Sequence, residues 1–223
     1  MARDNSPEIR QLAQLERKQN QRASCDRILI VSEGSKTEPH YFREIRVAHK
    51  LHTANVQVRP SELGTEPTQV VQYARDLFEH GDDHKRIKKR SFEQVFTVFD
   101  RDDHKSYFDA LKLAASLDMK LRNDDKQPVV FRAIASVPCF ELWLLLHYED
   151  ILYPLHRDKV MSRLKKYIPS YEKGMDKIFL NTQDKLDIAI KRARKLEHNT
   201  ALDGREPFTD IARLVDLLKS LGR

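Results

Sequence analysis

The chain has 223 residues, 33% of them charged and 40% hydrophobic, with forty basic residues against 34 acidic ones and a net charge of +6. That excess permits nucleic-acid binding without demanding it. Cys25 and Cys139 have no ligand-like spacing, which argues against a disulfide framework or a structural zinc. There is no apolar run of about 18 residues to span a membrane. The charged N-terminus has no apolar h-region, so the expected location is the cytoplasm.

Residues 1–26 read as a polar arm. Ile9, Leu12 and Leu15 fall at helical spacing there, but few apolar residues follow. Residues 27–32 carry a continuous aliphatic run, predicting a central strand covered on both faces. Gly34 frees the backbone to turn, and residues 39–47 predict a helix with Tyr41, Phe42 and Ile45 on one side. Residues 56–60 predict a short strand. Pro67 sits near the start of a further helix, Val70, Val71, Ala74, Leu77 and Phe78 form its apolar stripe, and Gly81 ends it. Residues 95–99 predict a buried strand rich in β-branched and aromatic side chains. Ser106 can cap a helix that turns Phe108, Leu111, Ala115 and Leu117 inward. Residues 128–136 predict another strand. Residues 140–146 leave no polar face apart from Glu141, so they predict a buried helix.

Strand and helix alternate through this whole stretch. That predicts an α/β fold with a mostly parallel sheet flanked by helices. Beyond residue 150 the pattern is helical, at 158–168, 184–197 and 207–221, with 169–181 as a connection. Leu186, Ala189, Ala193 and Leu196 mark one face of the middle helix. Ile211, Leu214, Val215 and Leu218 mark the core stripe of the last, with Thr209 as its N-cap. The expected organisation is an arm at 1–26, a core at 27–150, and a helical extension at 151–223 packed on that core.

The chemistry concentrates at strand ends. Asp100 and Asp102 leave the 95–99 strand two residues apart, and ligands of open α/β sheets gather beyond such ends. Two carboxylates facing one cavity repel unless one keeps its proton or a cation intervenes. Mg²⁺ is held by one or two carboxylates plus waters and phosphates. The plainer alternative is a polar strand exit, since Asp is common in turns. Glu33 ends the first strand on the same rim if the strands are parallel neighbours. Glu141 is a carboxylate inside an apolar run, which is costly unless paired or metal-bound. It either faces the rim from a helix N-terminus or is held by a nearby Arg or by backbone N–H groups. His147 reads as a hydrogen-bonded histidine at the core edge, and Cys139 as a packed thiol. Gly34-Ser35-Lys36-Thr37 is not a phosphate-binding P-loop, because that motif needs glycine where Leu29 stands. Lys85, Arg86, Lys88, Lys89 and Arg90, and on a later helix Lys191, Arg192, Arg194 and Lys195, can either bind nucleic acid or form solvated faces.

These stretches carry a resemblance. Residues 30–39 with Tyr41 and Phe42, Phe99-Asp100-Arg101-Asp102, and the run from Pro138 to His147 resemble the RloB-like family, a branch of the Toprim superfamily. Weaker similarity continues through residues 193–196 and 207–209. The resemblance implies a Toprim-like core in which Glu33 follows the first strand and Asp100 and Asp102 a later one, with an insertion within 50–92. It also implies a setting in phage defence (abortive infection) beside an ATPase partner of the RloA type.

The expected activity is Mg²⁺-dependent phosphodiester hydrolysis of DNA or RNA, with Mn²⁺ able to substitute. Asp100 and Asp102 would hold the metal, Glu33 would act as ligand or general acid/base, Glu141 would help hold a second ion, and Lys36 would offset charge on the phosphate. Two rivals stand beside it. One is a non-catalytic Toprim-like regulator that binds metal, nucleic acid or the ATPase alone. The other is a phosphate-receiver domain, disfavoured because the acid pair follows the later strand and only Glu33 ends the first. Homo-oligomerisation is left open.

Overall fold

A computed structural model of the chain describes residues 26–196 and 204–222. The arm up to Cys25, and Glu197 at the end of the expected helix 184–197, lie outside the described residues.

The sheet is built as the aliphatic runs dictate. β1 (Ile28–Ser32), β2 (Val56–Pro60), β3 (Gln94–Asp100) and β4 (Val130–Val137) are parallel, in the order β2-β1-β3-β4, and β5 (Phe208–Thr209) closes the edge antiparallel to β4. β1 and β3 are central and almost wholly buried. Side chains alternate between two apolar layers, as a period of two requires. Ile28, Ile30, Phe96, Val98 and Ile134 face one layer. Leu29, Val31, Val95, Phe99 and Phe131 face the other.

Helices cover both faces. α1 (Thr37–Ala48) presents Tyr41, Phe42 and Ile45 to the first layer. α2 (Pro67–His80) buries Val70, Val71, Ala74, Leu77 and Phe78 in the second and stops at Gly81, whose φ of 74° suits glycine. α3 (Tyr107–Leu117) packs beside α2. Its buried stripe is Tyr107, Ala110, Leu111 and Ala114, so the expected inward Phe108 is instead 42% exposed. The stripe runs i, i+3, i+4, i+7 from Tyr107, which turns Phe108 off the inner face.

α4 (Glu141–Leu146) is buried along its whole length. The Trp143 indole N–H donates to the Tyr41 hydroxyl at 2.8 Å, tying α4 to α1 inside the core. Next come α5 (Arg157–Tyr167), α6 (Ile178–Thr182), a 3-10 turn at Gln183–Lys185, and α7 (Leu186–Arg194). The 169–181 connection therefore holds the start of a short helix, and the middle helix begins with a tighter turn than its apolar pattern implied. α8 (Ile211–Leu221) ends the described chain.

The last predicted helix splits. Phe208 and Thr209 pair with Val137 and Ser136 as a short strand, and helix begins only at Ile211. Thr209 is therefore a strand residue. Its hydroxyl still accepts from the Ile211 amide at 3.3 Å, while exchanging a second bond of 3.0 Å with Ser136 Oγ. Burial of Phe208 and the open edge of β4 outweigh the local helical pattern, because an unpaired strand edge in a core is costly. Val160, Leu164, Ile178, Ala189 and Leu214, all beyond residue 150, share one apolar layer with the sheet. Residues 50–92 supply β2 and α2, both part of the sheet unit. Among the described residues, no helix is long and apolar enough to cross a membrane.

Tyr41→Phe leaves the buried Trp143 N–H without its acceptor, at a cost of about 1–3 kcal/mol. Urea unfolding should show a lower midpoint with an unchanged slope.

Candidate metal centre

The ends of β1 and β3 are stitched together by one carboxylate. The Glu33 amide continues the β1–β3 ladder by donating to the Val98 carbonyl at 2.9 Å. Its side chain then turns back over β3: Oε2 accepts from the Asp100 amide at 3.2 Å, and Oε1 meets His104 Nε2 at 3.1 Å. His104 Nδ1 meets Glu66 Oε1 at 3.3 Å, and Ser106 Oγ donates to Glu66 Oε2 at 2.6 Å, so the start of α2 is drawn to the same rim. Burial opposes protonation of His104, but Glu33 and Glu66 outweigh it and hold the imidazole above its usual range.

Asp100, the last residue of β3, is 6% exposed, and no described residue donates to its carboxylate. Burial and the charges of Glu38, Glu141, Glu33 and Asp102 push its pKa well above the carboxylate range. Asp102 follows with φ +36°, a left-handed conformation that Asp adopts more readily than most residues. The Asp102 amide donates to the Pro138 carbonyl at 3.1 Å, which fixes that conformation against the end of β4. Asp102 Oδ2 lies 2.8 Å from Arg157, while Oδ1 is buried without a partner. Burial raises the Asp102 pKa, and Arg157 and Lys173 offset part of the rise.

Glu141 opens α4 and is 2% exposed. Tyr171 Oη donates to its Oε1 at 3.1 Å, and Lys173 Nζ lies 3.9 Å away. Glu141 lies close enough to Asp100 and Glu38 to raise both their pKa values, and the groups beside its carboxylate are Tyr171 and Lys173 rather than an arginine or backbone N–H groups. The loop carrying Tyr171 and Lys173 is docked by the Gly174 amide, which donates to Thr37 Oγ1 at 2.9 Å. The Lys36 stem packs over Gly174, while its ammonium has no ion-pair partner among the described residues.

Sequence reasoning missed Glu38, His104, Arg157, Tyr171 and Lys173. Glu38 is buried at the start of α1, and burial together with Glu141 and Glu33 pushes it up to about 7. A Cβ at Gly34 would lie 2.5 Å from Glu38 Oε2, so this glycine leaves the space the carboxylate fills. The signals for Glu38 and His104 were present, as acids and bases next to strand-end motifs. The other three come from distant chain and carry no local signature.

The remaining candidates lie elsewhere. Lys85 bonds Asp82 and Glu62. The Arg90 carbonyl accepts from the Asp124 amide, and Asp124 pairs with Arg27 just before β1, so this part of the basic run lies at the opposite end of the sheet from Asp100. Arg192 donates to the Leu146 carbonyl, Arg194 pairs with Asp216 and Lys195 with Asp150, so much of the α7 charge is matched internally. His147 Nδ1 bonds the Trp143 carbonyl and the ring stays neutral, burial lowering its pKa to about 4. Cys139 is a buried thiol held protonated by burial and the nearby Glu141 and Asp100.

The site's own chemistry fits a divalent cation. Glu33, Glu38, Asp100, Asp102 and Glu141 share one rim, no described residue donates to the buried Asp100 carboxylate, and Asp102 Oδ1 is an orphaned acceptor. Among the described residues, triads whose donor atoms all lie within 4.8 Å of one another occur only at Asp76, Glu79 and His80 and at Glu93, Asp124 and Asp125. The rim acids form no such triad. In each surface triad an arginine already stands at the acids, Arg75 at Asp76 and Glu79, and Arg27 at Glu93 and Asp124.

An α/β protein with a mostly parallel sheet and a carboxylate rim at its strand ends is the class that fold and site define. A family model described as RloB-like protein matches residues 28–218, and the chain belongs to that family. No curated protein and no solved structure matches it.

Glu38 retains its proton in the fold above its ordinary value of 4.5. The stabilisation is complete below that value and is lost as pH rises through about 7, because the unfolded chain has already released the proton. In EDTA, the melting temperature should fall over this window, and the fall should be shallower in Glu38→Gln. Gly34→Ala should fold, because only the end of the Glu38 side chain must move, yet bind Mn²⁺ more weakly by calorimetry.

Proposed function

We infer that the chain is a metal-dependent nuclease of Toprim-like architecture. The observation that carries this reading is the convergence of Glu33, Glu38, Asp100, Asp102 and Glu141 on one rim, with Asp100 buried among like charges. The acids fall where the Toprim pattern wants them, one after the first strand and an Asp-x-Asp pair after a later one. Asp100 and Asp102 would hold Mg²⁺, with Glu33, Glu38 and Glu141 completing its surroundings; Mn²⁺ would serve as well. Bound there, the ion supplies Lewis-acid polarisation of a phosphoryl oxygen and a water of lowered pKa.

The chain's own groups take up the rest. Arg157 and Lys173 place positive charge beside Asp102 and Glu141, where a phosphate would enter. Lys36 adds an exposed ammonium next to Gly174. His104, held between two carboxylates, keeps a proton at Nε2 toward Glu33 and fixes that acid in place.

The proposed setting is phage defence beside an RloA-type ATPase. The geometry of residues 34–37 supports assigning any ATP-dependent step to another chain. Gly34 abuts a carboxylate and Thr37 is bonded to the Gly174 amide, so neither is free to cradle a phosphate.

Calorimetric titration with Mn²⁺ tests the centre. The native protein should bind, and a folded Asp100→Asn/Asp102→Asn variant should lose affinity by at least about tenfold, the scale on which metal-site substitutions act. Cleavage of plasmid DNA and of RNA with Mg²⁺ should be lost in the same variant. Equal Mn²⁺ binding by both proteins would remove the reading. Metal binding without cleavage, with or without the ATPase, would favour the regulatory alternative.

A further inference from the structure

Arg43 and Arg46 on α1 and Arg59 on β2 meet at the outer edge of the sheet. Arg43 donates to the Val58 carbonyl at 3.5 Å and Arg46 to the Val56 carbonyl at 3.3 Å, so both lie along the open edge of β2. Arg59 reaches the same edge from the other face, donating to the Lys85 carbonyl at 2.6 Å and to Gln57 Oε1 at 3.1 Å. Its Nε is buried without a partner. None of the three forms an ion pair with a described carboxylate, whereas Arg27, Arg157 and Arg194 all do. Burial, together with repulsion from neighbouring guanidinium groups, lowers the pKa of Arg43 and Arg46.

Covering the edge carbonyls accounts for one N–H from Arg43 and one from Arg46. It does not account for three like charges gathered without an acid. Each guanidinium carries five donors in a planar fork suited to phosphate oxygens. Arg59 pairs in register with Val31, two residues before Glu33, so the cluster leads along β2 toward the acidic rim.

We propose that Arg43, Arg46 and Arg59 form a phosphate-binding track along the outer edge of β2 that holds the sugar–phosphate backbone of the nucleic acid presented to the acidic rim. The track rests on the nuclease reading for its substrate, but its binding needs no metal. A lone anion would neutralise one arginine; a polyanion satisfies all three and releases counterions as it does so.

Fluorescence anisotropy in EDTA, with a short labelled DNA duplex and an RNA duplex of the same sequence, tests the track on the full chain. Arg43→Gln/Arg46→Gln/Arg59→Gln should weaken binding by at least about tenfold and reduce the slope of log affinity against log salt by about 2–3 on DNA. Lys88→Gln/Lys89→Gln/Arg90→Gln removes the same charge elsewhere and should cost much less. The triple Arg→Lys variant should keep the salt slope, which separates lost charge from a lost fold. Mn²⁺ affinity should be unchanged in the Arg→Gln variant, so the track and the metal centre succeed or fail separately. Native-like binding by the Arg→Gln variant, an equal loss in the Lys88 control, or no binding by the native protein would overturn the proposal.

Discussion

The structure depends on a carboxylate to which no described residue donates. Asp100 ends the central strand in near-complete burial, surrounded by Glu33, Glu38, Asp102 and Glu141. A charge in that position is costly unless a proton or a cation balances it. The cations the chain supplies stand around the perimeter: His104 at Glu33, Arg157 at Asp102, Lys173 at Glu141. The centre is left acidic while its surroundings are matched.

The rim is held in shape by apolar layers that reach it from both sides. α4 is buried throughout and positions Glu141 by the packing of Leu142, Trp143 and Leu145 and by the buried Trp143–Tyr41 hydrogen bond. The chain beyond residue 150 belongs to the same layer and contributes directly: Arg157 at the start of α5, and Tyr171 and Lys173 on the loop that Gly174 docks to Thr37. The centre is therefore assembled from five separated stretches. Removing the C-terminal part would expose the first apolar layer and strip two of the three perimeter cations.

Net charge is a poor guide to where this chain is positive. The two most basic stretches of sequence are partly spent on internal partners, Lys85 on Asp82 and Glu62, Arg194 on Asp216, Lys195 on Asp150. Three arginines that no local pattern singles out meet at the edge of β2 with no ion pair to a described carboxylate. Charge runs mark solvent-facing chain, whereas an unmatched cluster arises only when separate elements converge.

Much of the fold was legible from local pattern. The aliphatic runs at β1 and β3 fix buried parallel strands, and the stripe from Val70 to Phe78 fixes α2 to its glycine stop. Alternation of strand and helix then places Glu33, Asp100 and Asp102 at one rim. Those inferences hold because a buried strand or an amphipathic helix writes its periodicity into contiguous residues. The sequence alone thus determined the α/β class and the covered central strands, and it singled out Glu33, Asp100, Asp102 and Glu141 among the rim acids. Tertiary structure alone decided the rest: that 208–209 would leave a helical pattern to pair with β4, and that Arg157, Tyr171 and Lys173 would join the rim. Each of these depends on an unpaired edge or on a polar group supplied from far along the chain, and such contacts leave no periodicity to read.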